Sequence, residues 1–215
     1  MAEEMYRANP TAETLSRYAQ QVEETAEFMA DFVSYDSKTK RYFLQGTTAM
    51  QESMSKDFSF NHPFELAYWH YGLRVANEWR ERQGKERNAQ WDTIIDNLSP
   101  LPLTADGILS AGLPKGSTAN LKAFDPFDAV GANAKPTVTT ETFAEKSRND
   151  HPAVLGAFGL LPSCPVCCDS IATNKTLSWV MQNWNWPTTW GWDYGMTAMA
   201  AARLGQPLTA LKALL

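Results

Sequence analysis

The sequence predicts a mostly helical, all-α protein in which long helices alternate with long loops. Apolar residues recur at helical spacing between Thr11 and Val33, opposite a polar face. The stretch from Pro63 to Gln83 is apolar around most of its circumference, as in a helix that is packed on both sides. Helical patterns return around Thr140 and recur to the end of the chain. These three observations outweigh a single run of β-type residues.

The N-terminal half is predicted to contain three helices, with a turn, a strand and a loop between the first two. Pro63 suits the first turn of a helix, Gly84 suits a helix end, and Asn88 is a favourable N-cap. The predicted segments are a helix at 11–33, a turn at 34–38, a short strand at 41–44, a polar loop at 46–60, a helix at 63–83 and a helix at 89–97.

The second half begins with a long irregular connection. Residues 103–138 hold several glycines and prolines with little periodicity, and such connections in compact domains are usually functional or covering. Gly205 is predicted to end one helix and Pro207 to begin the next. Helical patterns are predicted at 140–146, 152–161, 168–183, 194–204 and 207–215.

Composition limits the classes of partner. The chain has 215 residues, 44% of them hydrophobic and 20% charged, with a net charge of −5. This acidic balance offers no basic surface for nucleic acid. No stretch approaches the about 20 apolar residues of a membrane-spanning helix, and the N-terminus has no apolar signal segment. We therefore expect neither a nucleic-acid nor a membrane partner, while localisation and oligomeric state stay open.

The cysteines are clustered in one short segment. All three lie in Cys164-Pro-Val-Cys167-Cys168, a spacing that fits a redox pair or half of a zinc site. A second ligand pair is missing, and the histidines do not stand at zinc-finger distances. We therefore favour a loop with spare thiols, and predict no metal and no cofactor.

Four tryptophans crowd the segment 184–195, which reads WNWPTTWGWDYG. A proline and a glycine interrupt it, so some indoles are expected on a loop before a helix that begins near Tyr194. Indole faces stack on the C–H faces of sugars, while carboxylates and amides bind hydroxyl groups. The segment predicts a saccharide site, although packing alone could also explain the indoles. The candidate binding residues are Trp186, Trp190 and Trp192.

Three acidic residues are candidates for catalysis. Asp193 lies near the predicted helix N-terminus, where it could act as a general base at the mouth of a pocket or simply cap the helix. Glycoside hydrolysis requires a second carboxyl group. Glu65 opens an aromatic helix, where burial would raise its pKa and suit a general acid, or it could complement the helix dipole. Glu52 lies on the loop before it, where it could also be a solvated residue.

Three motifs resemble the six-hairpin glycosidases, a group that includes the trehalose and maltose phosphorylase/hydrolase family and the α-L-fucosidase family. The likeness covers most of the chain outside 103–138. The motifs are Asn61-His-Pro-Phe-Glu-Leu-Ala-Tyr-Trp-His-Tyr-Gly-Leu73, Asp150-His-Pro-Ala-Val-Leu-Gly-Ala157 and the stretch from Trp186 to Gly205, WPTTWGWDYGMTAMAAARLG.

The resemblance implies an (α/α)6 toroid, of which residues 1–215 would form a single domain. A full toroid of twelve helices needs on the order of 350 residues at about 11–12 residues per helix plus loops, so the chain would be an incomplete, C-terminal portion. By the same resemblance Glu52 is the general acid, because Ala49-Met-Gln-Glu52 matches a Gly-Pro-Asp-Glu stretch at its glutamate. Asp193 is the implied base.

The resemblance also implies a carbohydrate substrate that is hydrolysed with inversion at the anomeric carbon. Asn61, Trp69 and His151, which lie in the first two motifs, complete the predicted substrate-binding set. The competing interpretations are a non-catalytic carbohydrate-binding or remnant module, and a helical scaffold in which the tryptophans are only core residues.

Overall fold

The computed structural model describes residues 1–47, 50–51, 60–103, 107–110, 148–162 and 169–215. These residues are mostly helical and contain one two-stranded sheet, which confirms the predicted all-α class. The described elements are α1 (Ala2–Ala8), α2 (Ala12–Phe32), β1 (Ser34–Asp36), β2 (Arg41–Phe43), α3 (Pro63–Arg82), α4 (Ala89–Asn97), a 3₁₀ helix (Ala153–Leu155), α5 (Gly156–Gly159), α6 (Ser170–Asn183), a 3₁₀ helix (Trp186–Thr188), α7 (Gly191–Arg203) and α8 (Pro207–Leu214).

The long helix α2 confirms the prediction at 11–33. Its N-cap is Thr11, whose hydroxyl accepts a hydrogen bond from the backbone N–H of Thr14 at 3.2 Å. Its buried face packs on α3. There Met29 lies so close to Gly72 that a Cβ added at Gly72 would stand 2.7 Å from the Met29 Cε atom. A glycine therefore lets the two helices approach closely.

A small hairpin follows α2. β2 confirms the strand predicted at 41–44, but the turn predicted at 34–38 is wrong in its first part, because β1 pairs antiparallel with β2. The chain turns after Asp36, whose carboxylate accepts hydrogen bonds from the backbone N–H of Lys38 at 3.0 Å and the hydroxyl of Thr39 at 2.7 Å. Asp36, the last residue of β1, therefore stabilises the turn that directly follows this strand.

The helix predicted at 63–83 is confirmed as α3, which ends one residue earlier. The imidazole Nδ1 of His62 accepts a hydrogen bond from the backbone N–H of Phe64 at 3.2 Å and caps the helix. Gly84 lies just beyond the end with φ of 71°, in the left-handed region that glycine adopts without steric cost. Local capping thus determines both ends of α3.

The helix predicted at 89–97 is confirmed without a shift at either end. The Oδ1 atom of Asn88 accepts hydrogen bonds from the backbone N–H groups of Gln90 and Trp91, at 2.9 and 3.3 Å. α4 packs on α2, α3 and β2, and these elements share one hydrophobic core. Its largest buried members are Met29, Leu44, Leu66, Trp69, Leu73, Trp91, Ile94 and Leu98.

The last helices form a second core. α6 and α7 confirm the helices predicted at 168–183 and 194–204, but α7 begins at Gly191, ahead of the predicted start. Gly205, with φ of 72°, follows α7, and α8 begins at Pro207 as predicted. The core residues are Val154, Leu155, Ala172, Leu177, Val180, Trp184, Ala200 and Ala201, together with Leu109.

The helix predicted at 152–161 is broken into a 3₁₀ helix and α5, and it joins the two cores. A Cβ added at Gly156 would stand 2.9 Å from a ring carbon of Phe64 and 3.4 Å from the sulfur of Met196. A Cβ added at Gly159 would stand 2.9 Å from the Met196 carbonyl oxygen. These glycines allow α3, α5 and α7 to pack closely against one another.

The helix α1 was not predicted. It is bound to α3 through the buried carboxylate of Glu3, which accepts hydrogen bonds from the Trp79 indole and the Arg82 guanidinium, both at 2.6 Å. The prediction at 140–146 and most of those at 46–60 and 103–138 lie outside the described residues. In the described parts of the chain, none of the helices has the length and apolar character required to cross a membrane.

Candidate functional site

The aromatic segment lies between α6 and α7 and places its indoles in different environments. Trp184 is buried, and its Nε1 atom donates a hydrogen bond to the carbonyl oxygen of Asp150 at 2.8 Å. Trp186, in the 3₁₀ helix, stacks on Tyr194 with ring centroids 5.5 Å apart. Trp190 and Trp192 are 61% and 44% exposed. Two of the predicted binding indoles therefore present accessible surface.

Asp193 lies in the first turn of α7, behind these indoles. One carboxylate oxygen, Oδ2, accepts a hydrogen bond of 2.7 Å from the backbone N–H of Trp190, the N-cap residue. The side chain is 0% exposed, so Asp193 does not stand at the mouth of a pocket. Because α7 begins at Gly191, earlier than predicted, Asp193 lies inside the first turn of the helix and not in front of it.

The carboxylate of Asp193 also contacts His151. The Nδ1 atom of the imidazole lies 3.0 Å from Oδ2 and 3.1 Å from Oδ1. A carboxylate without a proton only accepts hydrogen bonds, and against that form of Asp193 the Nδ1 atom is the donor. The ring of His151 is also buried, and its centroid lies 4.4 Å from that of Trp192. The structure thus brings His151, Asp193 and Trp192 together.

A second carboxylate contacts the opposite edge of the same imidazole. Oδ1 of Asp150 lies 3.2 Å from the Nε2 atom of His151. Asp150 has φ of 65°, a left-handed conformation that is uncommon outside glycine but that aspartate tolerates better than most residues. Its backbone N–H donates to the Thr188 hydroxyl at 2.9 Å. The loop that carries Asp150 is therefore bound to the aromatic segment.

Neighbouring contacts strengthen this attachment. The backbone N–H of Asn185 donates to the carbonyl oxygen of Arg148 at 3.0 Å, and its side-chain amide donates to Oδ1 of Asn149 at 2.6 Å. Gln51, which precedes α3, donates from Nε2 to the carbonyl oxygen of Asn149 at 3.1 Å. Residues 148–151 are thus held from two sides.

Glu65 lies in the first turn of α3. Burial raises the pKa of its carboxyl group, although a hydrogen bond from the backbone N–H of Met50 acts in the opposite direction. A raised pKa favours the protonated form that a general acid requires. Glu52, the other predicted acid, lies outside the described residues, as do Cys164, Cys167 and Cys168.

Asn61 and Trp69 are buried in the interior. Asn61 is 0% exposed and has φ of 53°, and its side-chain Oδ1 accepts a hydrogen bond from the backbone N–H of Leu44 at 2.9 Å. Its Nδ2 atom has no hydrogen-bond partner among the described residues. The indole of Trp69 donates to the carbonyl oxygen of Met29 at 2.9 Å and contacts Phe32. Trp69 therefore packs in the first core, away from the aromatic segment.

The sequence reasoning missed Asp150 and Tyr194. Both stand in the motifs that carry the resemblance, but a left-handed backbone at Asp150 and a ring stack at Tyr194 arise only from tertiary contacts. A groove of about 700 Å³ along α6 contains none of the predicted site residues; it is lined by Ile108, Ser170, Ile171, Asn174, Lys175, Ser178 and Leu204.

Residues 1–47, 60–103 and the other described ranges contain no group of three or more His, Cys, Asp or Glu side chains able to hold a metal ion. Comparison of the chain with protein-family models and with curated proteins gives no match.

Proposed function

We propose that this protein binds carbohydrate at the aromatic surface formed by Trp190 and Trp192. The observation that carries the proposal is the exposure of these two indoles beside the buried pair of His151 and Asp193. Large aromatic rings are normally buried, so two exposed indoles beside fixed polar groups are typical of a binding surface. Sugars fit this chemistry because they combine apolar C–H faces with hydroxyl groups.

The structural alternative is that Asp193 and His151 only stabilise the start of α7. Capping by Asp193 accounts for its bond to the Trp190 backbone, but it does not require the Trp190 and Trp192 rings to face solvent. A purely structural segment would gain stability by burying those rings. Exposure of the indoles therefore favours binding over capping alone, while the two roles remain compatible.

Intrinsic tryptophan fluorescence tests the binding proposal. We expect maltose or cellobiose to change the emission, and sorbitol, which has hydroxyl groups but no ring face, to have little effect. Replacement of Trp190 or Trp192 by alanine should remove about 0.5–1.5 kcal/mol of binding free energy, roughly a two-fold to ten-fold loss of affinity. Phe28→Ala is the matched control, because Phe28 is 60% exposed on α2. Equal responses to sorbitol and the disaccharides would contradict ring stacking.

Hydrolysis of a glycosidic bond, with inversion, is the second candidate function. The raised pKa of Glu65 supports it, since one carboxyl group must stay protonated. Asp193 is buried against His151, so a base role for it would have to be exerted through the imidazole. The test is release of nitrophenol from nitrophenyl glycosides, with Glu65→Gln, Glu52→Gln and Asp193→Asn compared with the unaltered protein. Absence of turnover together with saccharide binding would favour the non-catalytic module.

The helix pairing is compatible with a portion of an (α/α)6 toroid of the six-hairpin glycosidase type. Consecutive helices pack on each other, α2 on α3, α3 on α4, and α7 on α8, as in a series of helical hairpins. We extend the proposal to residues 1–215 as a C-terminal part of such a domain. An in-frame genomic continuation upstream of Met1 that encodes further helical hairpins would support it, and an experimental structure with another helix order would refute it.

A further inference from the structure

Three side chains, those of Asp193, His151 and Asp150, form a series of polar contacts beside the exposed indoles. Asp193 contacts Nδ1 of His151 at 3.0 Å, and Asp150 contacts Nε2 of the same ring at 3.2 Å. The two nitrogens lie on opposite edges of the imidazole, so the ring separates an inner carboxylate from an outer one. The contact with the buried Asp193 at Nδ1 orients the imidazole ring, and in this orientation Nε2 faces Asp150.

The solvent exposure of the three side chains increases from Asp193 through His151 to Asp150. The side chain of Asp193 is 0% exposed, that of His151 is 5% exposed, and that of Asp150 is 14% exposed. Asp150 is thus the member that a solute can reach. The ring of His151 lies against Trp192, so the imidazole contacts both the outer carboxylate and an indole that is 44% exposed.

The position of Asp150 is determined by its backbone as well as by the imidazole. Its carbonyl oxygen accepts the Trp184 indole N–H at 2.8 Å, and its N–H donates to Thr188 at 2.9 Å. Both partners belong to the segment that carries the exposed indoles. The backbone of Asp150 is therefore attached to the aromatic segment at two points, which favours a preorganised arrangement of its carboxylate.

We infer that Asp150 is the ligand-contacting carboxylate of this surface, where it accepts hydrogen bonds from neighbouring hydroxyl groups of a sugar ring stacked on Trp192, and that Asp193 is a positioning residue acting through His151. This inference rests on the proposed carbohydrate binding and specifies its polar component. An ionised carboxylate has only acceptor sites, which matches the hydroxyl donors of a neutral saccharide.

Substitution of Asp150 by asparagine tests the inference with maltose as the probe. Asparagine has a similar size and tolerates the left-handed backbone, so the loop is expected to keep its conformation. Loss of a charged hydrogen-bond acceptor should weaken maltose binding about ten-fold or more, measured by tryptophan fluorescence. Asp96→Asn is the matched control, because Asp96 is exposed on α4 and the change in net charge is the same. It should leave the affinity unchanged.

The imidazole of His151 provides a second readout, which can be followed without substituting Asp150. The chain has three histidines, so its imidazole nitrogen-15 signals can be assigned with His62→Gln and His70→Gln proteins. Maltose should shift the Nε2 signal of His151, because its Asp150 partner contacts the sugar. Asp193→Asn should change the Nδ1 signal and weaken binding, whereas a merely structural Asp193 would alter thermal stability without altering the affinity of the folded protein.

The outcomes of these experiments test the role of Asp150 separately from the proposed carbohydrate binding. Maltose binding that is retained in Asp150→Asn, or an Nε2 signal that maltose leaves unchanged, overturns the role of Asp150 and leaves carbohydrate binding intact. Failure of the unaltered protein to bind maltose or cellobiose overturns both. Weakened maltose binding in Asp150→Asn, with the affinity of Asp96→Asn unchanged and the Nε2 signal of His151 shifted by maltose, supports the inference.

Discussion

Removal of the charge on Glu3 should detach α1 from α3 and lower the free energy of unfolding. Burial raises the pKa of this carboxyl group, but hydrogen bonds from Arg82, Trp79 and Arg7 outweigh it and hold the pKa at about 2, below the ordinary 4.5. The carboxylate is 5% exposed and its guanidinium partners are more accessible, so solvent screening reduces the effect. A substitution Glu3→Gln keeps the shape of the side chain and removes the charge.

The magnitude follows from the change in pKa between the folded and unfolded states. Each unit corresponds to about 1.36 kcal/mol, and after the discount for screening we expect Glu3→Gln to lower the free energy of unfolding by about 2 kcal/mol at neutral pH. Because the folded pKa is depressed, this stabilisation is present above pH 4.5 and is lost as the pH falls towards 2. For a chain of this size the midpoint temperature should fall by roughly 4–8 °C.

Guanidinium chloride unfolding, followed by circular dichroism at neutral pH and near the folded pKa of Glu3, measures this effect. The control is Glu4→Gln, which makes the same charge change on the same helix, at a side chain that is 66% exposed and 3.8 Å from Arg7. We expect Glu4→Gln to change the free energy of unfolding by less than about 0.5 kcal/mol. Equal losses in the two variants, or a Glu3→Gln loss that does not shrink at low pH, would refute the reasoning.

Two further predictions concern packing. Gly159→Ala should destabilise the protein by about 1–3 kcal/mol, because the added Cβ would stand 2.9 Å from the Met196 carbonyl oxygen. Gly195→Ala, whose Cβ would have nothing within 4 Å, should stabilise α7 by up to about 1 kcal/mol. Thermal unfolding of the two variants checks both values, and a Gly159→Ala protein that is more stable than the unaltered one would contradict the close contact. Trp184→Ala should lower the free energy of unfolding by about 3–5 kcal/mol, because this ring is buried. Trp190→Ala removes a ring that is 61% exposed and should lower it by less than about 1 kcal/mol. Similar losses for the two variants in denaturant unfolding would contradict this difference in burial.

The site residues differ in how far the sequence could predict their surroundings. Trp190 precedes α7, in agreement with the expectation that some indoles lie before a helix, but Trp192 lies within the first turn of α7 and not on the expected loop. The expectation that Asp193 stands at a pocket mouth is wrong, because α7 begins at Gly191 and turns the carboxylate inward to the Trp190 backbone. The exact first residue of a helix is difficult to predict from one sequence, and here the aromatic residues before Tyr194 gave no clear start.

Short-range interactions explain the predictions that succeeded. The periodic pattern of α2, the Asn88 cap of α4 and the Gly205–Pro207 boundary depend on residues that are neighbours along the chain. α1 escaped prediction because its stability comes from a distant partner. Glu3 and Trp79 are separated by 76 positions, and no local pattern records their contact.

The sequence by itself determined the helical class, the positions of most helix ends and the crowding of tryptophans before α7, because periodicity, capping and breaking residues act over one or two helical turns. Only the tertiary structure decided that His151 meets Asp193 across 42 positions and that Asp150 contacts the opposite edge of the imidazole. Such contacts depend on how packed helices and the loops between them are oriented, and that orientation is set by the whole core, with its close approaches at Gly156 and Gly159.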